Sequence, residues 1–179
     1  MSPGIVVTVL TGIWAILPAY LPNSVAVLVG GGPPIDGGRS WRGSRLLGDG
    51  KTWRGFLGGT LAGALLALAM NALRPGLAPT LPAFPAPAVL TLPLGAMLGD
   101  VAGSFLKRRS GRERGAPAPV LDQLGFVVVA LALTFAAAPG WTARTFTLPV
   151  LVVVVLLTPV VHLVTNGGAY LVGLKDEPW

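Results

Sequence analysis

Long apolar segments alternate with short polar loops along the chain, and this pattern predicts membrane-spanning helices. A helix that crosses a bilayer needs about 20 mostly apolar residues. The segments that meet this requirement are 4–29, 55–73, 84–106, 120–138 and 146–174. We therefore predict an all-α integral membrane protein, a single domain over residues 1–179 with five transmembrane helices.

The first apolar segment contains two prolines, and we expect Pro18 and Pro22 to break its helix. It lacks the basic residues that precede the apolar run of a secretory signal peptide. We interpret it as a retained membrane segment.

Composition agrees with this interpretation. Hydrophobic residues make up 53% of the chain and charged residues 11%, against about 25% charged in an average soluble domain. There are no cysteines, which excludes disulfides and thiolate metal sites.

The net charge of +6 is distributed unevenly. Most cations fall in two loops, approximately 36–54 and 107–119, or at the C-terminus: Arg39, Arg42, Arg45, Lys51, Arg54, Lys107, Arg108, Arg109, Arg112, Arg114 and Lys175. With five spans these regions share one side, and only Arg74 and Arg144 lie on the other. Cytoplasmic loops are rich in Lys and Arg, so we predict a multi-pass protein of the cell membrane with its N-terminus outside and its C-terminus in the cytoplasm.

The second segment carries glycines at a spacing of four: Gly55, Gly59 and Gly63. Small residues at this spacing let helices approach closely in lipid. The contact could lie inside one bundle, or it could form a homodimer.

Asp100 lies inside the third segment, seven residues before Lys107. An ionised carboxylate in lipid is expensive unless it is paired or binds metal. Ser104 and Lys107/Arg108 follow at helical spacing, so the four residues predict one polar stripe. The alternative is a buried Asp–Arg ion pair.

Asp122 and Gln123 open the fourth segment, across a short basic loop from Asp100. An aspartate at this place can cap the helix. Alternatively, Asp100 and Asp122 share one mouth and hold Mg²⁺ against a polyphosphate, since Mg²⁺ is usually bound by one or two carboxylates plus substrate phosphates.

The first loop contains a Gly-Lys-Thr run at Gly50, Lys51 and Thr52. It is not a Walker A motif, because Arg45 occupies the first glycine position and no strand is predicted before it. Flexible glycines, Lys51, Thr52 and Arg54 can nevertheless bind phosphate oxygens. The alternative is a basic loop that contacts anionic lipid headgroups.

Three polar residues lie in the first and last segments: Asn23, His162 and Asn166. They are interpreted as packing or helix-bridging groups. The sequence shows no nucleophile with an adjacent base, and no nucleic-acid partner is predicted.

Two carboxylates and many cations beside a lipid-facing mouth suit a reaction between a nucleotide and an anionic lipid. A lipid phosphate is already a nucleophile, so nucleotidyl transfer to it requires no general base. Catalysis would then consist of positioning and charge neutralisation.

Three segments resemble the family of CDP-archaeol synthases, the archaeal relatives of the phosphatidate cytidylyltransferases. They are DGGRSWRGSRLLGDGKTWRGFLGG, GDVAGSFLKRRSGRERGAPAPVLDQLGF and HLVTNGGAYLVGLKDEPW. The bacterial His-Gly-Gly pattern is missing after the SxxKR block, which favours the archaeal branch.

This resemblance implies Mg²⁺-dependent transfer of a cytidylyl group from CTP to an unsaturated archaeal diether glycerophosphate (of the 2,3-bis-O-geranylgeranylglycerol phosphate type). The products would be CDP-archaeol and pyrophosphate. The basic loops independently predict that the active site faces the cytoplasm. Under this reading Asp100 and Asp122 bind metal, and Lys107 and Arg108 are also catalytic. Phosphate contacts would come from Lys51, Thr52, Arg54, Lys107, Arg108 and Arg109, while Asp49, Ser104 and Gln123 would orient these groups.

Other functions remain as alternatives: a cytidylyltransferase for diacyl phosphatidate, a CDP-alcohol phosphotransferase, or a small transporter. The phosphotransferase requires a paired Asp pattern that is missing after Asp36-Gly37. A transporter would place polar residues near the bilayer midplane, often with internal repeats.

Overall fold

The computed structural model describes residues 4–112 and 118–174, which form an antiparallel helical bundle with a small hairpin. Arg114 and Lys175 of the predicted basic set lie outside these residues. The elements are α1 (Ile5–Val29), β1 (Ser40–Trp41), β2 (Ser44–Arg45), α2 (Trp53–Leu77), α3 (Ala86–Arg109), α4 (Pro119–Ala137), α5 (Pro139–Thr145) and α6 (Leu148–Leu171).

Five of the helices in the described residues are long and apolar enough to cross a membrane: α1, α2, α3, α4 and α6. This confirms the five-helix architecture predicted from the apolar segments. The helix ends differ from the prediction by up to four residues. Helix α2 begins at Trp53 and extends to Leu77, and α3 continues through Lys107 to Arg109. The cations Lys107, Arg108 and Arg109 therefore belong to the end of α3 and not to the loop.

Helix α1 is continuous, and the predicted break at its prolines is wrong. Pro22 removes the N–H that the Pro18 carbonyl would otherwise receive from the next turn. That carbonyl instead faces α2, where a Cβ added at Gly63 would lie 2.5 Å from it. Helix α2 thus packs closely against this surface of the continuous α1.

The glycines of α2 are the reason why α1, α2 and α3 can pack so closely. A Cβ at Gly59 would lie 2.5 Å from the Pro22 carbonyl, and one at Gly63 would lie 2.5 Å from Pro93 Cβ of α3. The contacts support packing inside one bundle as the role of the glycines in α2, because α1 and α3 already cover the glycine face of this helix.

Helices α3 and α4 are antiparallel and equally close. A Cβ at Gly99 would lie 2.6 Å from Phe126 Cα, and one at Gly95 would lie 2.6 Å from Ala130 Cα. The pairing of these levels fixes the register between the two helices, and this register positions the site described below.

Aromatic side chains close one end of the bundle. Phe84 stacks on Trp14 with ring centroids 6.4 Å apart, and Trp141 of α5 contacts Phe84 and Phe146. The Trp14 and Trp141 indole N–H groups donate to carbonyls of the α2–α3 connection. The basic loops lie at the opposite end, where α2 begins and α3 ends.

Helix α6 is packed in its first half only. Its buried residues are Val150, Val154 and Thr158, and none of its other described residues is buried. Pro159 follows the last of them. The second half of α6 therefore stands away from the bundle and leaves space between itself and α1, at the end that carries the basic loops.

Candidate active site

A cavity of about 1260 Å³ occupies this space and extends to the ends of α2, α3 and α4. Polar residues line one part of it, among them Asp49, Lys51, Asp100, Lys107 and Asp122. Apolar residues of α1 and α6 line another part, among them Leu17, Val27, Leu157 and Val164. One continuous cavity thus offers charged groups and an apolar wall.

Asp100 of α3 forms an ion pair with Lys51 of the first loop, with Lys51 Nζ 2.6 Å from Asp100 Oδ2. Both side chains are roughly a third exposed, at 27% and 30%. The ion pair given as the alternative for Asp100 is therefore present, but the partner is a lysine of the first loop and not an arginine. The pair joins the Gly-Lys-Thr run to the third helix.

Asp122 of α4 forms the second pair, with Lys107 Nζ 2.7 Å from Asp122 Oδ1. Its other oxygen accepts a hydrogen bond at 2.9 Å from the backbone N–H of Ala118, the N-cap residue of α4. Asp122 itself lies in the first turn of α4 and also lines the cavity. The predicted single stripe is divided, because Lys107 turns to Asp122 and Asp100 turns to Lys51.

The two carboxylates lie at neighbouring levels of the α3–α4 pair. Gly99 approaches Phe126, and one turn later Gly103 approaches Leu121. Asp100 directly follows Gly99 of the first contact, and Asp122 directly follows Leu121 of the second. The sequence prediction that both carboxylates reach one mouth agrees with this geometry and with their shared cavity.

Asp36, which is not among the predicted site residues, is the centre of the first loop. Its side chain is 1% exposed. It accepts hydrogen bonds from the backbone N–H groups of Gly38, Leu47 and Gly48 and from the Arg45 guanidinium, whose Nη2 lies 2.8 Å away. An Asx turn at Asp36-Gly37-Gly38 was the available signal.

The Arg45 guanidinium holds the pKa of Asp36 well below its usual range, and the three backbone N–H groups act in the same direction against the effect of burial. Asp36 in turn raises the pKa of Arg45. Arg45 also pairs with Asp49, at 2.6 Å between Nη1 and Oδ1. The predicted orienting residue Asp49 therefore contacts Arg45 at the cavity edge.

Thr52 and Arg54 differ in their surroundings. Thr52 is buried and its Oγ1 accepts a hydrogen bond from the Gly55 N–H at 3.1 Å, so it caps α2. It also lines the cavity. Arg54 is exposed and its side chain passes Gly32. Phosphate contacts by these residues stay predictions.

The cations at the end of α3 face the first loop. Arg109 donates to the carbonyls of Trp41, Ser44 and Arg45, at 2.7, 3.1 and 3.1 Å. Arg108 donates to the Arg112 carbonyl and lies near Gly48. Neither guanidinium is among the groups that line the cavity.

Ser104 and Gln123 also lie beside the cavity and not on its wall. Ser104 is buried, and Gln123 is half-buried in the first turn of α4. Their predicted orienting roles stay predictions.

Polar residues of α1 and α6 complete the lining. The Tyr20 hydroxyl lies 2.6 Å from Thr158 Oγ1, and His162 Nε2 lies 2.7 Å from the Asn166 amide nitrogen. Asn23 has a buried side-chain oxygen without a hydrogen-bond partner among the described residues. The Tyr20–Thr158 contact joins α1 to α6. The packing or helix-bridging role of Asn23, His162 and Asn166 stays a prediction, and all three residues line the cavity.

Comparison with known proteins decides the family. A family model described as CarS-like, CDP-archaeol synthase, matches residues 5–179. The CDP-archaeol synthase of Halobacterium salinarum is 65% identical over 176 residues, which covers 96% of this chain and 97% of that protein. Those of Halorubrum lacusprofundi and Methanospirillum hungatei are 61% and 51% identical. The chain belongs to the CDP-archaeol synthase family.

A solved structure supports this membership. It is described as an intramembrane enzyme for archaeal membrane lipids biosynthesis, with a TM-score of 0.64 and 38% identity. The match covers 83% of this chain and 91% of that chain. The resemblance stated from the sequence motifs is thus confirmed. The chain is an enzyme of the cytidylyltransferase class and a multi-pass membrane protein. The phosphotransferase and transporter alternatives lose their support.

The carboxylates that line the cavity would fit a bound Mg²⁺ ion. The described residues contain no group of three or more His, Cys, Asp or Glu side chains that could hold a metal without substrate. They do place two carboxylates in the lining of one cavity. Mg²⁺ typically takes one or two carboxylates and completes its coordination with water and substrate phosphates. Asp100 and Asp122 are the residues that would hold it.

The hairpin of the first loop and its turn could not be predicted from the sequence, for physical reasons. The hairpin strands β1 and β2 are two residues long each, too short for any alternation of polar and apolar residues. Their turn, Arg42-Gly43, has positive φ at both residues, 52° and 79°. This is the geometry of a type I′ turn, but arginine is an uncommon residue in it.

Proposed function

We propose that the chain transfers the cytidylyl group of CTP to the phosphate of an unsaturated archaeal diether glycerolipid. The products are a CDP-activated diether lipid and pyrophosphate. The family membership supports the cytidylyl chemistry. The observation that carries the choice of substrates is the cavity itself, in which two lysine–carboxylate pairs adjoin a wall of apolar side chains.

The charged part of the cavity suits the triphosphate. Lys51 and Lys107 are positive groups that each pair with one of the two carboxylates, and both line the cavity. When a triphosphate enters, each lysine can exchange its carboxylate for phosphate oxygens. The freed carboxylates would then hold Mg²⁺, which supplies neutralisation of the triphosphate charge when it is bound.

The apolar wall suits the lipid. The second half of α6 and the facing part of α1 expose aliphatic side chains to the cavity, and α6 is not packed there. A diether lipid can place its chains along this wall while its phosphate reaches the lysines. The gap beside α6 offers a path from the bilayer.

The reaction needs little proton chemistry. An ionised oxygen of the lipid phosphate attacks the α-phosphorus of CTP and forms the new P–O bond. The bond between the α-phosphorus and the oxygen that bridges to the β-phosphorus breaks, and the electron pair leaves with pyrophosphate. Lys51 and Lys107 hold the charge that develops on these oxygens, and orientation of the two substrates supplies the rest.

We place this site on the cytoplasmic side. Within the described residues, the cations Arg39, Arg42, Arg45, Lys51, Arg54, Lys107, Arg108, Arg109 and Arg112 lie at the end of the bundle that carries the cavity mouth. Arg74 and Arg144 lie at the other end. The enrichment of Lys and Arg on the cytoplasmic face supports this orientation, with the N-terminus outside.

The test is a reconstituted reaction with the purified chain in detergent, labelled CTP, Mg²⁺ and a synthetic unsaturated diether glycerophosphate. We expect labelled CDP-lipid and an equal amount of pyrophosphate. Diacyl phosphatidate serves as the competing substrate, and a higher kcat/KM with it would assign the chain to diacyl lipid instead. No product with either lipid would overturn the proposal.

A further inference from the structure

We infer that Asp36, Arg45 and Arg109 form a positioning device, called here the loop clamp, that holds Lys51 at Asp100 for the nucleotide. The inference rests on the proposed function, since it assigns the loop clamp to the triphosphate side of that site. None of the three residues needs to touch substrate. They act through the loop that carries Lys51.

The first part of the loop clamp folds the loop on itself. Asp36 is buried and receives hydrogen bonds from the backbone of Gly38, Leu47 and Gly48 and from Arg45. One carboxylate thus ties the start of the loop to residues nine to twelve positions later. A buried carboxylate with this many donors is strongly fixed in place.

The fold of the loop fixes the backbone on both sides of Lys51. The Lys51 carbonyl accepts a hydrogen bond at 2.8 Å from the N–H of Ile35, the residue directly before Asp36. The Lys51 N–H donates to the Gly48 carbonyl at 3.2 Å. The Trp53 N–H donates to the Pro33 carbonyl at 3.3 Å. The position of the Lys51 backbone therefore depends on the segment that Asp36 organises.

The second part of the loop clamp attaches the folded loop to α3. Arg109 donates to the carbonyls of Trp41, Ser44 and Arg45, and its guanidinium lies 5.3 Å from the Trp41 ring centroid and 5.6 Å from that of Phe105. Such stacking adds to the attachment. Arg109 lies on the same rigid helix as Asp100, so the attachment sets where Lys51 meets that carboxylate.

This arrangement changes the role predicted for Arg109. Three carbonyls and two rings surround its guanidinium, and it does not line the cavity. It is a positioning residue and not a phosphate ligand. Loss of the loop clamp should leave the lipid side of the cavity intact, because that side is built from α1 and α6.

Kinetics with both substrates separate positioning from general damage. In Asp36→Asn and in Arg109→Gln we expect kcat/KM for CTP to fall about tenfold or more, the size expected when hydrogen bonds to a charged group are lost. The KM for the lipid should stay within about twofold. Arg39→Gln is the matched control, because it removes an exposed cation from the same loop and should keep wild-type kinetics.

A measurement without turnover tests the geometry directly. The chain has no native cysteine, so spin labels at Ser40→Cys in the hairpin and Leu106→Cys on α3 report the loop-to-helix distance without background. Both positions are exposed. We expect a narrow distance distribution in the parent and in Arg39→Gln, and a broad one in Asp36→Asn and Arg109→Gln.

The outcomes are distinct. An unchanged distribution in both clamp variants would overturn the inference, and so would equal losses for CTP and lipid that follow the unfolding temperature. If the distributions broaden but the wild-type chain makes no CDP-lipid, the proposed function fails while the positioning of Lys51 by the loop clamp is supported.

Discussion

Lys51 Nζ lies 2.6 Å from Asp100 Oδ2, which joins the first loop to the third helix at the wall of the cavity. The two residues are 49 positions apart in the chain. Neither side chain is fully buried, so the pair can open when a substrate with competing charge arrives. This contact connects the folded loop to a carboxylate of the cavity lining.

The first prediction concerns Asp100→Asn. The amide keeps the size of the side chain but removes the charge that would hold a metal ion, so CDP-lipid formation should fall below about one thousandth of wild type, a loss of roughly 4 kcal/mol in transition-state stabilisation. The thermal unfolding temperature should change by only a few degrees, because the pair with Lys51 is partly exposed and such pairs contribute about 1 kcal/mol or less. Near-normal turnover would make Asp100 a structural ion-pair member.

The second prediction compares two double-mutant cycles on Lys51→Met and Asp100→Asn. In thermal stability, the coupling energy should be about 1 kcal/mol or less, as for other partly exposed pairs. In kcat/KM for CTP the effects should be strongly non-additive, because both residues act on the same triphosphate. Additive kinetic effects would contradict a shared site.

The third prediction tests the close packing of α2. Gly63→Ala should lower the free energy of unfolding by about 1–3 kcal/mol, because its Cβ would lie 2.5 Å from the Pro18 carbonyl and Pro93 Cβ. Gly76→Ala is the control in the same helix, since nothing lies within 4 Å of its added Cβ. Equal stability of the two variants, measured by thermal unfolding in detergent, would contradict the packing.

Much of the architecture could be predicted from the sequence because bilayer thickness imposes a simple length rule on apolar segments. A cation partner for Asp100 was one of the alternatives that followed from the expense of charge in lipid, whereas the pairing of Asp122 with a cation was not predicted. Which cation pairs with which carboxylate could not be predicted. Helical spacing placed Lys107 with Asp100, whereas in the structure Lys107 pairs with Asp122 of α4. Local periodicity carries no information on contacts between elements.

The loop was the hardest part to predict. Asp36 looked like one more polar residue among glycines, yet it is nearly inaccessible to solvent and organises five donors. The family resemblance implied a phosphate contact for Arg109, and the hydrogen bonds of Arg109 to the hairpin carbonyls were not foreseen. Its role depends on where the hairpin docks, and the two-residue strands of that hairpin leave no pattern in the sequence.

The fourth prediction is a pH dependence of the loop. Because the pKa of Asp36 is lower in the folded loop than in an unfolded chain, its contribution to stability is fully present above the unfolded pKa of about 3.9. It decreases progressively as the pH falls from the unfolded pKa toward the lower folded value. Proteolysis of the loop in wild type should therefore be constant from about pH 8 to pH 5 and should increase below about pH 4. Asp36→Asn should be cleaved rapidly throughout, and a wild-type increase already near neutral pH would contradict this assignment.

The fifth prediction concerns magnesium and CTP. Lys51 and Lys107 already neutralise the two carboxylates, so removal of divalent cations with a chelator should stop catalysis without lowering the unfolding temperature. Mg²⁺ alone should raise that temperature little, because two carboxylates paired with lysines offer only part of a coordination sphere. CTP and Mg²⁺ together should raise it by several degrees, since a ligand that binds only the folded state stabilises it in proportion to RT ln(1 + [L]/Kd).

Asp122→Asn provides the check on that fifth prediction. It removes one proposed metal ligand, and Lys107 loses its partner, so the joint effect of CTP and Mg²⁺ on the unfolding temperature should shrink to that of CTP alone. A large shift with Mg²⁺ alone in the wild type would mean that the metal has a complete protein site. The two-carboxylate arrangement, which depends on substrate phosphates to complete the coordination, would then be wrong.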